Sequence, residues 1–304
     1  MLETPIVKQS EKDSGPLLTV AMPTFNAGRH LRLAMLSIVA QSFQDWELLI
    51  IDDGSTDNAL QDIADISDRR VRILCDGKNN GLAARLNEAI DLARGQYFAR
   101  MDQDDFSYPE RFARQIDLLQ GHEELDVISV RAITISDDDE ITGLLPCPIS
   151  HEEICARPWQ GFCFPHPAWM GRIEWFRRHR YATPGPYFCE DQELLLRTHG
   201  VSRFGAVDRI LFAYRIRGKN NWRRVARTRW TFFMVQFRHF IGLRQYRFIF
   251  LASLVLGALV ARDLLKMVQQ MLGLSPYSTT TNPPLSAEWH DVLEAALKNE
   301  LSIR

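Results

Sequence analysis

Three carboxylates within four positions, Asp102, Asp104 and Asp105, follow the short apolar run Tyr97-Phe98-Ala99. Such a run reads as a buried strand, and acidic groups clustered at its end are expensive to bury unpaired. They need a cation or solvent. Hard divalent cations such as Mg²⁺ take carboxylate oxygens and complete their shell with phosphate or water. In an open α/β sheet, ligands bind at the mouth formed by the strand C-termini. The cluster is therefore a candidate metal site for a nucleotide diphosphate. The alternative is an acidic loop in which Asp105 caps the next helix.

Two more strand ends carry polar groups: Pro23-Thr24-x-Asn26 after Leu17–Met22, and Asp52-Asp53 after Trp46–Ile51. In a parallel sheet these ends converge on one edge, which favours a shared site. Asp52 or Asp53 can accept hydrogen bonds from a base or ribose. Asp53-Gly54-Ser55 also fits a turn with a helix cap, the reading preferred for Asp57. Arg85 and Asn87 follow Gly81, and Arg85 is either a surface arginine or a phosphate or base contact. Glu190-Asp191, after Pro184-Gly185-Pro186, opens an amphipathic helix, where it either caps the helix or supplies a general base. His166, between two prolines, is a metal or phosphate contact or a satisfied structural histidine.

The elements that must position these groups alternate. Strands at 17–22, 46–51, 71–74 and from Tyr97 are separated by expected helices at 29–41, after Thr56, and from Gly81 through Ala93, the pattern of a right-handed βαβ array. Further on, 109–120 reads as a helix, 126–135 as a strand, 137–140 as a charged turn, 190–199 as a helix and 209–214 as a strand. Residues 145–180, with five prolines and several aromatics, suggest the irregular wall of a pocket.

With 304 residues and a net charge of −2, the chain is large enough for one big domain plus an appendage, and its charge favours no partner. The charge is uneven: Arg209 to Arg262 holds twelve Lys or Arg and no Asp or Glu. Five cysteines without a C-x-x-C pair suit reduced thiols. Met1–Gly15 has no apolar core and reads as a loose tail rather than a signal peptide. Phe248 to Ala261 is fourteen uncharged residues, short for a membrane span. Upstream arginines interleaved with aromatics suit a helix lying on an anionic membrane face, while the alternative is a helical hairpin packed on the domain. Pro283-Pro284 then breaks the chain before an amphipathic helix at 287–301.

With these residues in view, the chain resembles the family-2 glycosyltransferases over about Leu17 to Lys219. The resemblance rests on Pro23-Thr24-x-Asn26, Ser37-Ile38-x-x-Gln41-Ser42, Trp46 to Asp57, Asn80-Gly81-Leu82, Arg100-Met101-Asp102-x-Asp104-Asp105 (the DxD motif) and Glu190-Asp191 with Leu194 and Leu196-Arg197 (the ED motif). It implies an α/β GT-A (Rossmann-like), mostly parallel sheet flanked by helices, with a C-terminal helical extension. Expected boundaries are a tail at 1–16, a catalytic domain at 17–219 (nucleotide half 17–106, acceptor half 107–219) and a basic, aromatic helical region at 220–304.

The roles it implies are donor binding by Pro23, Thr24, Asn26, Asp53, Arg85, Asp102 and Arg217, with Mg²⁺ or Mn²⁺ on Asp104 and Asp102, His166 as a further contact, and Asp191 as the base. The Q-x-x-R-W motif of processive synthases is not evident after Asp191, which points to single-sugar transfer. The implied reaction is inverting, from a nucleotide-diphosphate sugar, a UDP-sugar by expectation, to a glycan or lipid-linked acceptor in cell-surface polysaccharide synthesis. The place is the cytoplasm at the inner face of the plasma membrane, with peripheral anionic-membrane contact and no nucleic-acid partner. The competing readings are a non-catalytic, membrane-associated nucleotide-sugar binder and an Asp-dependent phosphatase.

Overall fold

A computed structural model describes residues 15–216, 222–271, 287–295 and 298. The tail up to residue 14, Arg217, Pro283-Pro284 and most of the last helix beyond 295 lie outside the described residues.

The elements in chain order are β1 (Leu18–Thr24), α1 (His30–Val39), β2 (Trp46–Asp52), β3 (Val71–Cys75), α2 (Leu82–Leu92), β4 (Tyr97–Arg100), β5 (Phe106–Ser107), α3 (Arg111–Gly121), β6 (Val127–Ile135), β7 (Ile141–Leu144), α4 (His151–Ile154), β8 (Met170–Arg172), α5 (Ile173–Arg178), α6 (Glu190–Thr198), β9 (Phe204–Arg215), α7 (Trp222–Gly242) and α8 (Tyr246–Met271). They form a nine-stranded sheet in the order β3-β2-β1-β4-β8-β6-β9-β5, with β7 on β6. The long registers are parallel: β3, β2, β1 and β4 run together, and β9 runs parallel to β6. This is the α/β, mostly parallel sheet with C-terminal helices that the sequence pattern anticipates.

Side chains alternate across β1, as a strand requires. Leu18, Val20 and Met22 face the core shared with α1 and α3, while Ala21 faces the core shared with α2, α5 and α6. In the β1–β2 register Thr24 lies opposite Asp52, and Arg100 lies opposite Ala21. The chain therefore leaves β1, β2 and β4 along one edge of the sheet.

Three departures from the sequence reading have local causes. The helix expected after Thr56 is only a short 3₁₀ turn, Gln61–Ile63. Arg32 takes the Asp62 carbonyl at 2.6 Å, an acceptor that a longer α-helix would use, and the Ile66 amide bonds Ile63 instead. Within the irregular 145–180 stretch, β8 inserts antiparallel between β4 and β6. Only glycine permits that insertion at 171, because a Cβ there would lie 2.4 Å from the Asp126 carbonyl oxygen. Asp105 caps no helix, since α3 begins at Arg111.

The C-terminal helices form a hairpin that docks on the domain. Gln236 donates to the Pro158 carbonyl at 3.0 Å, Phe240 is buried, and Trp159 stacks on Phe248. The apolar helix is longer than the uncharged run suggests. Asp263 closes a two-pronged ion pair with Arg229 at 2.5 and 3.0 Å, so charged positions continue α8. By length and composition Tyr246–Gln269 is long and apolar enough to cross a membrane, and 6% of its apolar window is buried. From the helix at 287–295, Trp289 buries its ring against Phe106 and Tyr108 and donates to the Asp139 carbonyl at 2.7 Å.

A direct check of this packing is Gly171→Ala. Overpacking costs about 1–3 kcal/mol in a well-packed core, so thermal unfolding should shift down by several degrees. An unchanged melting temperature would mean that β8 is not wedged as described.

Candidate active site

The β1, β2 and β4 exits meet the start of α6 in a cleft of about 1040 Å³. Its walls include Pro23, Thr24, Asp53, Arg85, Asp102, Asp104, His166 and Asp191, eight of the ten candidate residues. Asn26 is held nearby, its backbone left-handed at φ 48°, with its amide oxygen accepting from Thr56 N at 2.9 Å. Arg217 is outside the described residues.

The β2 exit is built around two carboxylates with different duties. Asp52 folds back to accept from the amides of Gly54 and Ser55, a turn stabilised by its own side chain. Asp57 is spent similarly on Gly28 N and Ala59 N. Asp53 accepts from Asn80 N at 2.7 Å, Gly81 N at 3.0 Å and Arg85 Nε at 2.9 Å. Gly81 takes φ 85°, a conformation most residues avoid, and so turns its amide onto Asp53. Arg85 is buried and also bonds Asp76, Glu88 and the Lys78 carbonyl. This dense hydrogen bonding pulls Asp76 down to about 2. Arg85 thus reaches the cleft as the clamp on Asp53.

The β4 exit carries the acidic motif. Asp102 pairs with Arg100 at 2.7 Å, and both Asp102 and Asp104 are half-buried. Gln103 bridges to the β1 exit in both directions, accepting from Phe25 N at 2.5 Å and donating to Phe25 O at 3.0 Å. Asp105 points inward. One oxygen accepts from Arg215 N at 2.7 Å, and the other is buried without a hydrogen-bond partner. Burial, then the charges of Asp102 and Asp104, push its pKa well above the ordinary carboxylate range. Arg215 also donates to the Asp104 carbonyl at 2.7 Å and to Asp139 at 2.5 Å, tying the acidic loop to β9 and the 136–140 turn.

Across the cleft, α6 presents Glu190 and Asp191 in its first turn, where the helix dipole favours negative charge. The buried face Leu194-Leu195-Leu196 fixes the helix. Gln192 holds Asp191 at 3.1 Å, and its carboxamide also exchanges hydrogen bonds with Phe162 N and O. Burial raises both acids, and Glu190, beside the charge of Asp191, is pushed up to about 7. His166 joins this side: Nε2 lies 2.7 Å from the Tyr181 hydroxyl and Nδ1 4.0 Å from Glu190. Burial, then Arg100, drives His166 well below the ordinary imidazole range, so it is neutral.

Among the described residues no three His, Cys, Asp or Glu side chains form a ready-made metal cage. The donor set nevertheless suits a hard cation. Asp102 and Asp104 offer carboxylate oxygens at an open cleft, next to a buried carboxylate oxygen lacking a partner. Diphosphate or water would supply the remaining ligands.

The residues to which the sequence assigned no role are Arg100, read only as part of the acidic motif, Gln103 and Tyr181. Arg100 had a signal, since it is a cation at the end of an otherwise apolar strand. Gln103 and Tyr181 act through distant partners, and local sequence carries no sign of that.

With this geometry in view, the family description "Glycosyl transferase family 2" matches residues 19–180. The chain belongs to glycosyl transferase family 2. It is 36% identical over 169 residues to the putative glycosyltransferase EpsE of Bacillus subtilis, covering 54% of this chain and 59% of EpsE. It is 31% identical over 103 residues to the Escherichia coli UDP-Glc:alpha-D-GlcNAc-diphosphoundecaprenol beta-1,3-glucosyltransferase WfgD, covering 34% of this chain and 41% of WfgD. The matches thus span about half the length of these relatives.

The fold is shared with S. aureus TarS 1–349 in complex with UDP-GlcNAc, at TM-score 0.57 and 16% identity, covering 72% of this chain and 65% of that one. It is also shared with the Pyrobaculum calidifontis mannosyltransferase PcManGT in complex with GDP-Man and Mn²⁺. There the TM-score is 0.56 and the identity 16%, with 94% of this chain and 87% of that chain covered.

The clamp on Asp53 is testable in this family-2 chain. Arg85→Met leaves a buried carboxylate without its cation, a change that costs about 3–5 kcal/mol. Thermal unfolding should fall accordingly, and the Asn80 and Gly81 amides should lose hydrogen-exchange protection. Protection equal to the parent chain's would show that Arg85 does not hold this loop.

Proposed function

We propose that the chain is an inverting, metal-dependent glycosyltransferase that moves one sugar from a nucleotide-diphosphate donor to an acceptor hydroxyl. The observation that carries this reading is the meeting, in one cleft, of the Asp102–Asp104 loop after β4 with Glu190-Asp191 at the start of α6. TarS in complex with UDP-GlcNAc and the UDP-Glc named for WfgD favour a UDP-sugar. WfgD's diphosphoundecaprenol acceptor and the putative glycosyltransferase EpsE favour a lipid-linked glycan acceptor in surface-polysaccharide synthesis. The arginine-rich α7 and the exposed apolar face of α8 favour work at the inner face of a membrane.

Each residue then has a chemical task. Asp53, fixed by Arg85 and the Asn80 and Gly81 amides, holds the base against the β2 exit. Thr24 and Pro23 line the nucleotide side of the cleft. Asp104, with Asp102, would hold Mg²⁺ or Mn²⁺, whose charge offsets that gathering on the leaving diphosphate. Asp191 accepts the proton of the acceptor hydroxyl. That oxygen bonds to the anomeric carbon as the carbon–oxygen bond to diphosphate breaks, its electron pair leaving with the phosphate. Attack from the face opposite the diphosphate inverts the centre. Gln192 keeps the Asp191 carboxylate aimed, and neutral His166, bonded to Tyr181, stands 4.0 Å from Glu190.

Asp191→Asn should retain donor binding, read as thermal protection by UDP with Mn²⁺, and lose turnover by about 10²–10⁴-fold. Asp104→Ala should lose the Mn²⁺-dependent part of that protection. Undiminished turnover of the first variant, or wild-type turnover in excess EDTA, contradicts the assignment.

The acid limb of the pH–rate profile follows from the α6 carboxylates. Burial raises their pKa values, so they hold their protons to higher pH, and the base works only when deprotonated. Transfer should therefore fall as pH drops through a range above that of ordinary carboxylates, because both acids are raised. The apparent value belongs to the Glu190–Asp191 pair. Glu190→Gln removes the like charge and should move the limb to lower pH, whereas a profile flat from about pH 5 to 8 would exclude this pair as the base.

A further inference from the structure

Beside the catalytic cleft lies a second cavity of about 330 Å³, bounded by the Gln160–Cys163 loop, the start of α6, α7 and α8. Its walls are mainly apolar: Phe162, Phe232, Phe233, Val255, Leu256 and Leu259. It is not a separate hole. Phe188, Thr228 and Arg229 line both it and the catalytic cleft. Gln192 lines it as well, and the same side chain donates to Asp191. The wall of the slot is thus one hydrogen bond from the proposed base.

Arg229 lines both cavities, and Arg224 lines the catalytic cleft beside it. Arg224 stacks over Phe188 at 4.0 Å from its ring centre, and Arg227 stacks over Tyr187 at the same distance. A guanidinium stacked on a ring keeps donors in its plane that suit phosphate oxygens. Arg229, paired with Asp263, lies where the two cavities join. Beyond the slot, the exposed face of α8 carries Leu254, Leu264 and Leu265. A molecule held at Asp191 thus has a polar cleft, guanidinium groups and apolar walls within reach.

We propose that this slot binds the first isoprenoid units of a polyprenyl-diphosphate-linked acceptor. The acceptor sugar lies at Asp191, its diphosphate at Arg224 and Arg229, and the remaining chain along α8. The proposal rests on the glycosyltransferase reading, with its lipid-linked acceptor, and adds where that lipid is held. The volume sits at the low end of small-molecule pockets, about 300–1,000 Å³, which suits a few isoprene units and not a whole long chain.

The test uses the full chain with UDP and Mn²⁺ present to fill the donor side, and equilibrium dialysis of farnesyl diphosphate against inorganic diphosphate. Farnesyl diphosphate should bind at least about tenfold more tightly, because only it buries apolar carbons. Val255→Trp, which fills the slot from a half-exposed position, should remove that advantage and leave protection by UDP with Mn²⁺ unchanged. In the unaltered chain, a benzophenone-bearing farnesyl diphosphate should cross-link within 252–259 or 228–233, which decides the matter if the Trp variant folds poorly.

Equal affinity for the two diphosphates, or cross-links confined elsewhere, overturns the slot. So does equal binding of dodecyl phosphate, which would assign the slot to acyl chains. A dimer that Val255→Trp abolishes while farnesyl diphosphate binding is unchanged would assign it to a second copy. Loss of UDP protection in the unaltered chain would instead sink the glycosyltransferase reading itself, an outcome separate from all of these.

Discussion

The buried guanidinium of Arg100 is the constraint on which the rest of the site depends. It is 3% exposed at the end of β4, and it pairs with Asp102 while feeling the charges of Glu190 and Asp191. Burial works against its charge, yet these acids raise its basicity above the ordinary value. Acidic groups from stretches nearly ninety residues apart in sequence are thereby gathered around one fixed cation. Without it, burial and mutual repulsion would drive the carboxylates apart or into their neutral forms.

The surrounding structure sorts the acids by satisfying some of them internally. Asp52 and Asp57 are consumed by turns, Asp53 is clamped by Arg85 and two backbone amides, and Asp105 is drawn inward by Arg215. Facing the cleft are Asp102, paired with Arg100, and Asp104 on one side and Asp191, held by Gln192, on the other. The β1, β2 and β4 exits supply the first side through a parallel register, and β8 brings the His166 segment next to β4. The α7–α8 hairpin closes the far wall, and through Arg224 on Phe188 it braces the segment that leads into α6. Preorganisation of this kind lets a few groups act without rearranging.

Most of the nucleotide-side architecture is legible in the sequence. Apolar runs ending in Pro23-Thr24, Asp52-Asp53 and Asp102 announce buried parallel strands whose ends must share an edge. The Asp191 helix is equally plain from its apolar spacing. What escapes is set by distant partners. β8 is only three residues long and exists because Gly171 fits under the Asp126 carbonyl. After Thr56, Arg32 takes the Asp62 carbonyl where a longer helix was expected, and α8 runs on past its uncharged stretch with Asp263 paired to Arg229. Arg85 reads as a surface residue or a ligand contact, and only folding reveals that Asp53, Asp76 and Glu88 surround it.

The central claim is that one cleft joins a metal–diphosphate site on the β4 exit to a base on α6. Crystals of the full chain soaked with UDP and Mn²⁺, measured at the manganese edge, test it most directly. The account predicts an anomalous peak bridging the diphosphate and the Asp104 carboxylate, with uracil against Asp53 and Asp191 facing the phosphate across the cleft. Manganese bound away from Asp104, or UDP lodged elsewhere on the chain, would contradict it.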